Sequence, residues 1–216
     1  MVGKLFQDIR QDIIEMNIET YSLFPTNIVR TDFKGFITQE DHSAMMQSVD
    51  MLIENGVYTD NELTPKYQTS VILFHEDAPP IWQKLKQTFY QACHNYLQAT
   101  PGFTGNQDAL EFTSAGAWCY KGWKSLNAKE TNPWHHHNPS FLSGVYYLKV
   151  PGDWSVGGTE FHDPRTAPAH GTQNQCIAPQ EYTWIIFPGW LSHKSNYVNT
   201  EEPRYVIAAN MYVKVK

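Results

Sequence analysis

The chain has 216 residues, enough to bury one sizeable core. Its formal net charge is -6, from 16 Lys and Arg against 22 Asp and Glu, and no basic cluster interrupts it, which argues against a nucleic-acid binder that neutralises phosphates. Three cysteines without a CxxC pair argue against a disulfide framework; no apolar run reaches the roughly 18 residues of a membrane span, and the N-terminus lacks a signal-peptide core, so a soluble cytoplasmic protein is expected.

Leu5, Ile9, Ile13 and Met16 fall at helical spacing and predict a short amphipathic helix over 4–16. Ser22–Phe33 is richer in β formers, and Pro25 suits an edge strand. Thr38-Gln-Glu-Asp41 has the form of a capping box, which predicts a helix carrying Met45, Val49 and Leu52 and stopping at Gly56. A polar loop is expected from there through Pro65. Asp77-Ala78-Pro79-Pro80 opens the clearest helix, with Ile81, Leu85, Phe89, Ala92 and Tyr96 on one stripe, ending before Pro101-Gly102. Beyond residue 109 the periodicity changes to short strands: Leu110–Tyr120, Trp134–His137, Leu142–Val150, Gly158–His162, Gln175–Ile177, Tyr182–Phe187, Ser192–Tyr197 and Arg204–Val213. Eight such strands suggest a closed or double-sheet barrel with the helices of the first half packed on one sheet. With no repeat or linker in view, one domain over 1–216 is expected, made of N-terminal support (1–108) and a barrel core (109–216).

The chemistry concentrates at Pro133-Trp134-His135-His136-His137-Asn138-Pro139. Side chains alternate faces along an extended chain, so His135 and His137 point one way and His136 the other. Two imidazoles about 6–7 Å apart along a strand can close on one metal ion when a third ligand arrives. His193 is the natural third, 56 residues after His137, and Arg204 follows 11 residues later at the head of the last strand. Three imidazoles leave coordination positions open for dioxygen, and a guanidinium can take a carboxylate through a bidentate, charge-assisted pair.

Four ordered motifs carry a resemblance: His135-His136-His137-Asn138-Pro139, Ser143-Gly144-Val145-Tyr146-Tyr147-Leu148, Asp163-Pro164-Arg165, and Phe187 to His193. With these the sequence resembles the iron(II)/2-oxoglutarate-dependent oxygenases, closest to a prolyl-hydroxylase-like branch, over roughly residues 110–215. The resemblance implies an all-β core with flanking helices (α+β), a double-stranded β-helix or jelly roll. It implies Fe(II) as cofactor, 2-oxoglutarate as co-substrate and hydroxylation of an unidentified small-molecule or peptide substrate by dioxygen. His135 and His193 match the iron-binding histidines, and His137 falls where most of the superfamily place Asp or Glu. Arg204 matches the residue that holds the distal carboxylate of 2-oxoglutarate. Tyr147 matches a tyrosine that helps bind it, Ser143 faces the same way, and Tyr120 matches a further cofactor-contacting tyrosine.

Other readings stay open on the residues. Glu160 or Asp163 could supply a carboxylate ligand, and a register using His136 with Asn138 could replace His135 with His137. Arg165 could contact substrate or pair with Asp163, and Trp118, Trp123, Trp134, Trp154 and Trp190 could line a pocket or fill a core. In function, a three-His enzyme that does not use 2-oxoglutarate (a cupin-type dioxygenase or a zinc hydrolase) and a non-catalytic jelly-roll binding module stand beside the oxygenase. The sequence leaves oligomeric state open.

Overall fold

The computed structural model describes residues 25–60, 66–100, 110–123, 133–152, 157–163, 174–196 and 200–216. The expected helix over 4–16, Trp154, Arg165 and Tyr197 lie outside them. Among the described residues ten strands and two helices follow in order: β1 (Val29–Asp32), α1 (Gln39–Glu54), β2 (Tyr58–Asp60), β3 (Lys66–Thr69), α2 (Pro80–Ala99), β4 (Leu110–Gly122), β5 (Leu142–Lys149), β6 (Thr159–Phe161), β7 (Gln175–Ile177), β8 (Thr183–Pro188), β9 (His193–Ser195) and β10 (Arg204–Val215). Seven strands form one antiparallel sheet in the order β1-β8-β5-β10-β4-β3-β2, and β7-β6-β9 form a second. Among the described residues no helix is long and apolar enough to cross a membrane.

Both helices start where their local chemistry says they should. Thr38 caps α1, its hydroxyl accepting from the Asp41 N–H (3.2 Å) while the Thr38 N–H donates to the Asp41 carboxylate (2.8 Å). Gly56, at φ +72°, follows the end of α1. Pro80 opens α2, whose buried stripe runs through Trp82, Leu85, Phe89, Ala92, Cys93, Tyr96 and Leu97.

Period-two alternation then divides the large sheet into two faces. Ala117 and Cys119 on β4, Leu142, Tyr146 and Leu148 on β5, Trp184 and Ile186 on β8, and Tyr205, Ile207, Ala209 and Met211 on β10 share a core with the helices. Val145 and Tyr147, Ile185 and Phe187, and Val206 point the other way and pack with Phe161 of the small sheet. We call these the helix face and the barrel face. Gly144 shows why the first is so close: a Cβ there would lie 2.8 Å from Phe89 of α2 and from Ile186.

Two expectations need correction. Trp134–His137 is not a strand; only His135 makes a bridge, to His193. Prolines at 133 and 139 bracket the stretch and supply no N–H to extend a ladder. The expected polar loop through Pro65 holds β2, which pairs antiparallel with β3 just after it, and β3 extends the sheet beyond β4 through Lys66↔Gly122 and Tyr67↔Lys121. Strands of three and four residues are too short to show alternation, and pairing with β4 makes them.

Candidate metal centre

Backbone pairing brings the distant histidines together. The His135 N–H donates to the His193 carbonyl (3.1 Å), and the His193 N–H returns to His135 (2.9 Å). The His137 N–H donates to the Gly189 carbonyl (2.8 Å), which keeps the two segments side by side. Gly189 is required there, because a Cβ would overlap the Ser140 carbonyl. His135 and His137 are half-buried, His193 is 4% exposed, and His136 points to solvent. The alternation argument therefore holds without a regular strand.

The three rings lie 5.1 Å (135–137), 4.5 Å (135–193) and 5.0 Å (137–193) apart between centroids. One ligand atom from each lies within 4.8 Å of the others, and the group includes no carboxylate. The Glu160 carboxylate is engaged by Lys194 (3.3 Å) and Asn174 (3.0 Å). The His136–Asn138 register fails as well, since both side chains are exposed.

The donor chemistry fits a metal ion. His135 Nδ1 lies 2.9 Å from the Pro133 carbonyl, and His193 Nδ1 lies 2.9 Å from the Leu191 carbonyl. A carbonyl only accepts, so each Nδ1 must carry the proton, which leaves the lone pair on Nε2. Ligation also requires neutral imidazole. Burial, with the neighbouring histidines, lowers the pKa of His137 to about 4. Burial lowers that of His193 to about 3, against the opposing pull of the Leu191 carbonyl. These rings are uncharged at neutral pH, and His135, His137 and His193 could hold a metal.

Arg204 lies on the same barrel face, at the head of β10 and six residues before Asn210, which touches His137. It is 6% exposed, its guanidinium sits 5.6 Å from the centroid of the Tyr147 ring, and its Nε has no hydrogen-bond partner. Burial pushes its pKa down. No ion pair of Arg204 occurs among the described residues. A buried, unpaired guanidinium is costly unless an anion completes it. Tyr147 is fully buried and hydrogen-bonds Thr159 Oγ1 through its hydroxyl (2.8 Å). Gly157, at φ +84°, lies against the Arg204 side chain, where a Cβ would make ordinary contact at 3.5 Å.

The other residues singled out in the sequence divide. Tyr120 stands in register with Val206, and Trp118 packs 5.6 Å from His137, its buried Nε1 without a hydrogen bond. The Ser143 hydroxyl turns to Asn210 (2.8 Å) and Ser140 (3.1 Å), at the His137 end of the face. Trp134 and Trp190 are at the surface, Trp134 beneath Lys194 at 4.7 Å. Asn210, Ser140 and Thr159 were missed by the sequence reading. A lone polar residue inside Ala208-Ala209-Asn210-Met211 was the available signal.

Residues 121–210 match the family model described as "Putative 2OG-Fe(II) oxygenase". No curated protein matches the sequence. Among solved structures, the chain is similar to a prolyl hydroxylase from Trichoplax adhaerens in complex with a hypoxia inducible factor oxygen degradation domain peptide fragment (TM-score 0.60, 15% identity, 86% of this chain and 83% of that one). It is also similar to the viral collagen prolyl hydroxylase of Paramecium Bursaria Chlorella virus-1 in its 2OG complex (0.53, 14%, 87% and 96%). A third is HygX from Streptomyces hygroscopicus with nickel and 2-oxoglutarate bound (0.56, 10%, 87% and 83%). The fold is that of the 2OG-Fe(II) oxygenases, and the segment matching their family model contains all three histidines and Arg204.

Proposed function

We propose that this chain, with its core matched to the 2OG-Fe(II) oxygenases, is a single-domain Fe(II)/2-oxoglutarate-dependent hydroxylase. One observation carries the reading: a cluster of three imidazoles shares a barrel face with a buried guanidinium that has no anionic partner among the described residues. In our reading His135, His137 and His193 hold Fe(II), and Arg204 receives the distal carboxylate of 2-oxoglutarate. Tyr147 packs against the Arg204 guanidinium and Tyr120 stands on the adjoining strand. Bound Fe(II) supplies oxygen activation, and the overall balance is substrate C–H plus dioxygen plus 2-oxoglutarate giving substrate C–OH, succinate and carbon dioxide.

The chain's own share is positioning. The Pro133 and Leu191 carbonyls hold two rings in the ligand tautomer, and Arg204 fixes the co-substrate by its far end. Val145, Phe161, Phe187 and Val206 line the interior between the sheets and keep water out. Three neutral ligands bring no negative charge to the metal, so the dianionic co-substrate has to supply it. Metal and 2-oxoglutarate should therefore bind more tightly together than separately.

The acceptor is a small molecule or a peptide; the Trichoplax neighbour is in complex with a peptide fragment, which favours the second. We place the reaction in the cytoplasm, where thiols such as Cys93, Cys119 and Cys176 stay reduced. The carboxylate-free donor set favours, as second reading, a dioxygenase that does not use 2-oxoglutarate. Incubation with Fe(II), 2-oxoglutarate and oxygen separates the two: succinate should form. Metal uptake with neither succinate nor 2-oxoglutarate binding would leave only the second reading.

A further inference from the structure

The third histidine has a support unlike the other two. His135 and His193 each present Nδ1 to a backbone carbonyl, whereas His137 Nδ1 faces the Asn210 side-chain amide at 3.4 Å. Asn210 stands opposite Ser143 in the β10–β5 register. The Ser143 hydroxyl lies 2.8 Å from the other end of that amide and 3.1 Å from the Ser140 hydroxyl. Ser140 and Ser143 are buried, and the Ser140 N–H donates to the His137 carbonyl (2.8 Å), closing the loop on the histidine itself. Period two along β10 puts Asn210 on the barrel face, and antiparallel pairing puts Ser143 beside it.

An amide offers a donor at one end and an acceptor at the other, in nearly the same shape. With the Asn210 NH2 toward His137, as the structure has it, Nδ1 accepts and the ring carries its proton on Nε2, where no metal can then bind. Turned over, the amide oxygen accepts from Nδ1–H, the NH2 donates to the Ser143 hydroxyl, and Ser143 donates to Ser140. Every group in the chain keeps a partner, and Nε2 gains its lone pair. The reversal costs little because a hydroxyl both donates and accepts.

We propose that Asn210 is a positioning residue, backed by Ser143 and Ser140, whose amide orientation decides whether His137 is a metal ligand. This rests on the three-His reading of the metal centre and adds to it a polarity requirement: the group at 210 must accept a hydrogen bond. An amide there, rather than a carboxylate, also keeps the third ligand a plain neutral imidazole.

The test is Co(II) affinity, measured by chelator competition and the visible spectrum, for the wild type, Asn210→Ala, Asn210→Asp and Ser143→Ala, each with the thermal midpoint of its metal-free form. Asn210→Ala should weaken Co(II) binding about 10–100-fold, and Ser143→Ala by less than about tenfold. Asn210→Asp keeps an acceptor and should bind Co(II) at least as tightly as the wild type. If Asn210→Ala does not fold, the other two variants carry the comparison. Wild-type affinity in both Asn210→Ala and Ser143→Ala would overturn the inference, as would an Asn210→Asp protein as weak as the alanine variant while its metal-free midpoint is unchanged. A wild type that takes up no Co(II) would remove the metal centre itself, and the inference with it.

Discussion

The two faces of the large sheet are built from the same strands yet differ in whether every buried donor finds a partner. On the helix face, Trp184 Nε1 donates to the Thr88 hydroxyl (2.9 Å), and His42 Nε2 meets the Tyr146 hydroxyl (2.8 Å). In the adjoining helix layer Trp82 Nε1 donates to the Ser48 hydroxyl (3.0 Å). On the barrel face, Trp118 Nε1 and Arg204 Nε are buried with no hydrogen bond. A face that only has to pack pairs its indoles within the chain. In our proposal the face that leaves Arg204 without an anion among the described residues is the one that takes the ligand.

The largest expected effect is on the barrel face. His193→Ala should weaken metal binding by more than about 100-fold and abolish turnover, since it removes a ligand outright and outer-shell losses alone reach that range. Thr88→Val, under Trp184, should leave metal affinity unchanged. Metal titration of both checks this, and an equal loss in the two would dissolve the distinction between faces.

Arg204→Gln comes next. Charge-assisted hydrogen bonds contribute about 1.5–3 kcal/mol, so 2-oxoglutarate binding should weaken roughly 10–100-fold. The metal-free, co-substrate-free protein should be no less stable for the loss, because an unpaired buried cation favours the unfolded chain. Urea unfolding of Arg204→Met, with and without 2-oxoglutarate, sharpens the point: only the wild type should gain from the ligand.

Thr88→Val should instead cost about 1–3 kcal/mol of stability, read as a lower urea midpoint, because it leaves a buried Trp184 N–H unsatisfied.

The last effect is a pH dependence that vanishes at neutral pH. His42 stacks on Tyr182 at 3.9 Å between ring centroids, and burial lowers its pKa to about 4. Above pH 6.5 neither folded nor unfolded protein protonates it. As pH falls from 6.5 toward 4 the unfolded chain takes up a proton that the native state refuses, so stability declines by up to about 3 kcal/mol and then levels. His42→Gln should make that part of the metal-free profile shallower, leaving the slope that His137 and His193 contribute, without changing 2-oxoglutarate affinity.

Much of this was readable from residues alone. The capping box at Thr38, the apolar stripe of α2 and the same-side placement of His135 and His137 are local, and local rules fixed them. His193 was singled out as the end of the run from Phe187, and Arg204 as the head of a last strand long enough to show alternation. What escaped depends on register. Asn210 matters only because β10 pairs it with Ser143, and Gly189 only because Ser140 passes close by. The β2–β3 hairpin depends on the exposed edge of β4. The bracketing prolines at 133 and 139 turned an expected strand into a single bridge, yet the backbone bonds to His193 and Gly189 preserved the facing of the rings.

Calorimetric titration of 2-oxoglutarate into Mn(II)-loaded protein reports most directly on whether the cluster and the guanidinium serve one ligand. The account predicts one 2-oxoglutarate per chain, with binding lost when the metal is chelated away and weakened 10–100-fold in Arg204→Gln. No heat at millimolar 2-oxoglutarate, or equal binding with and without metal, would contradict it.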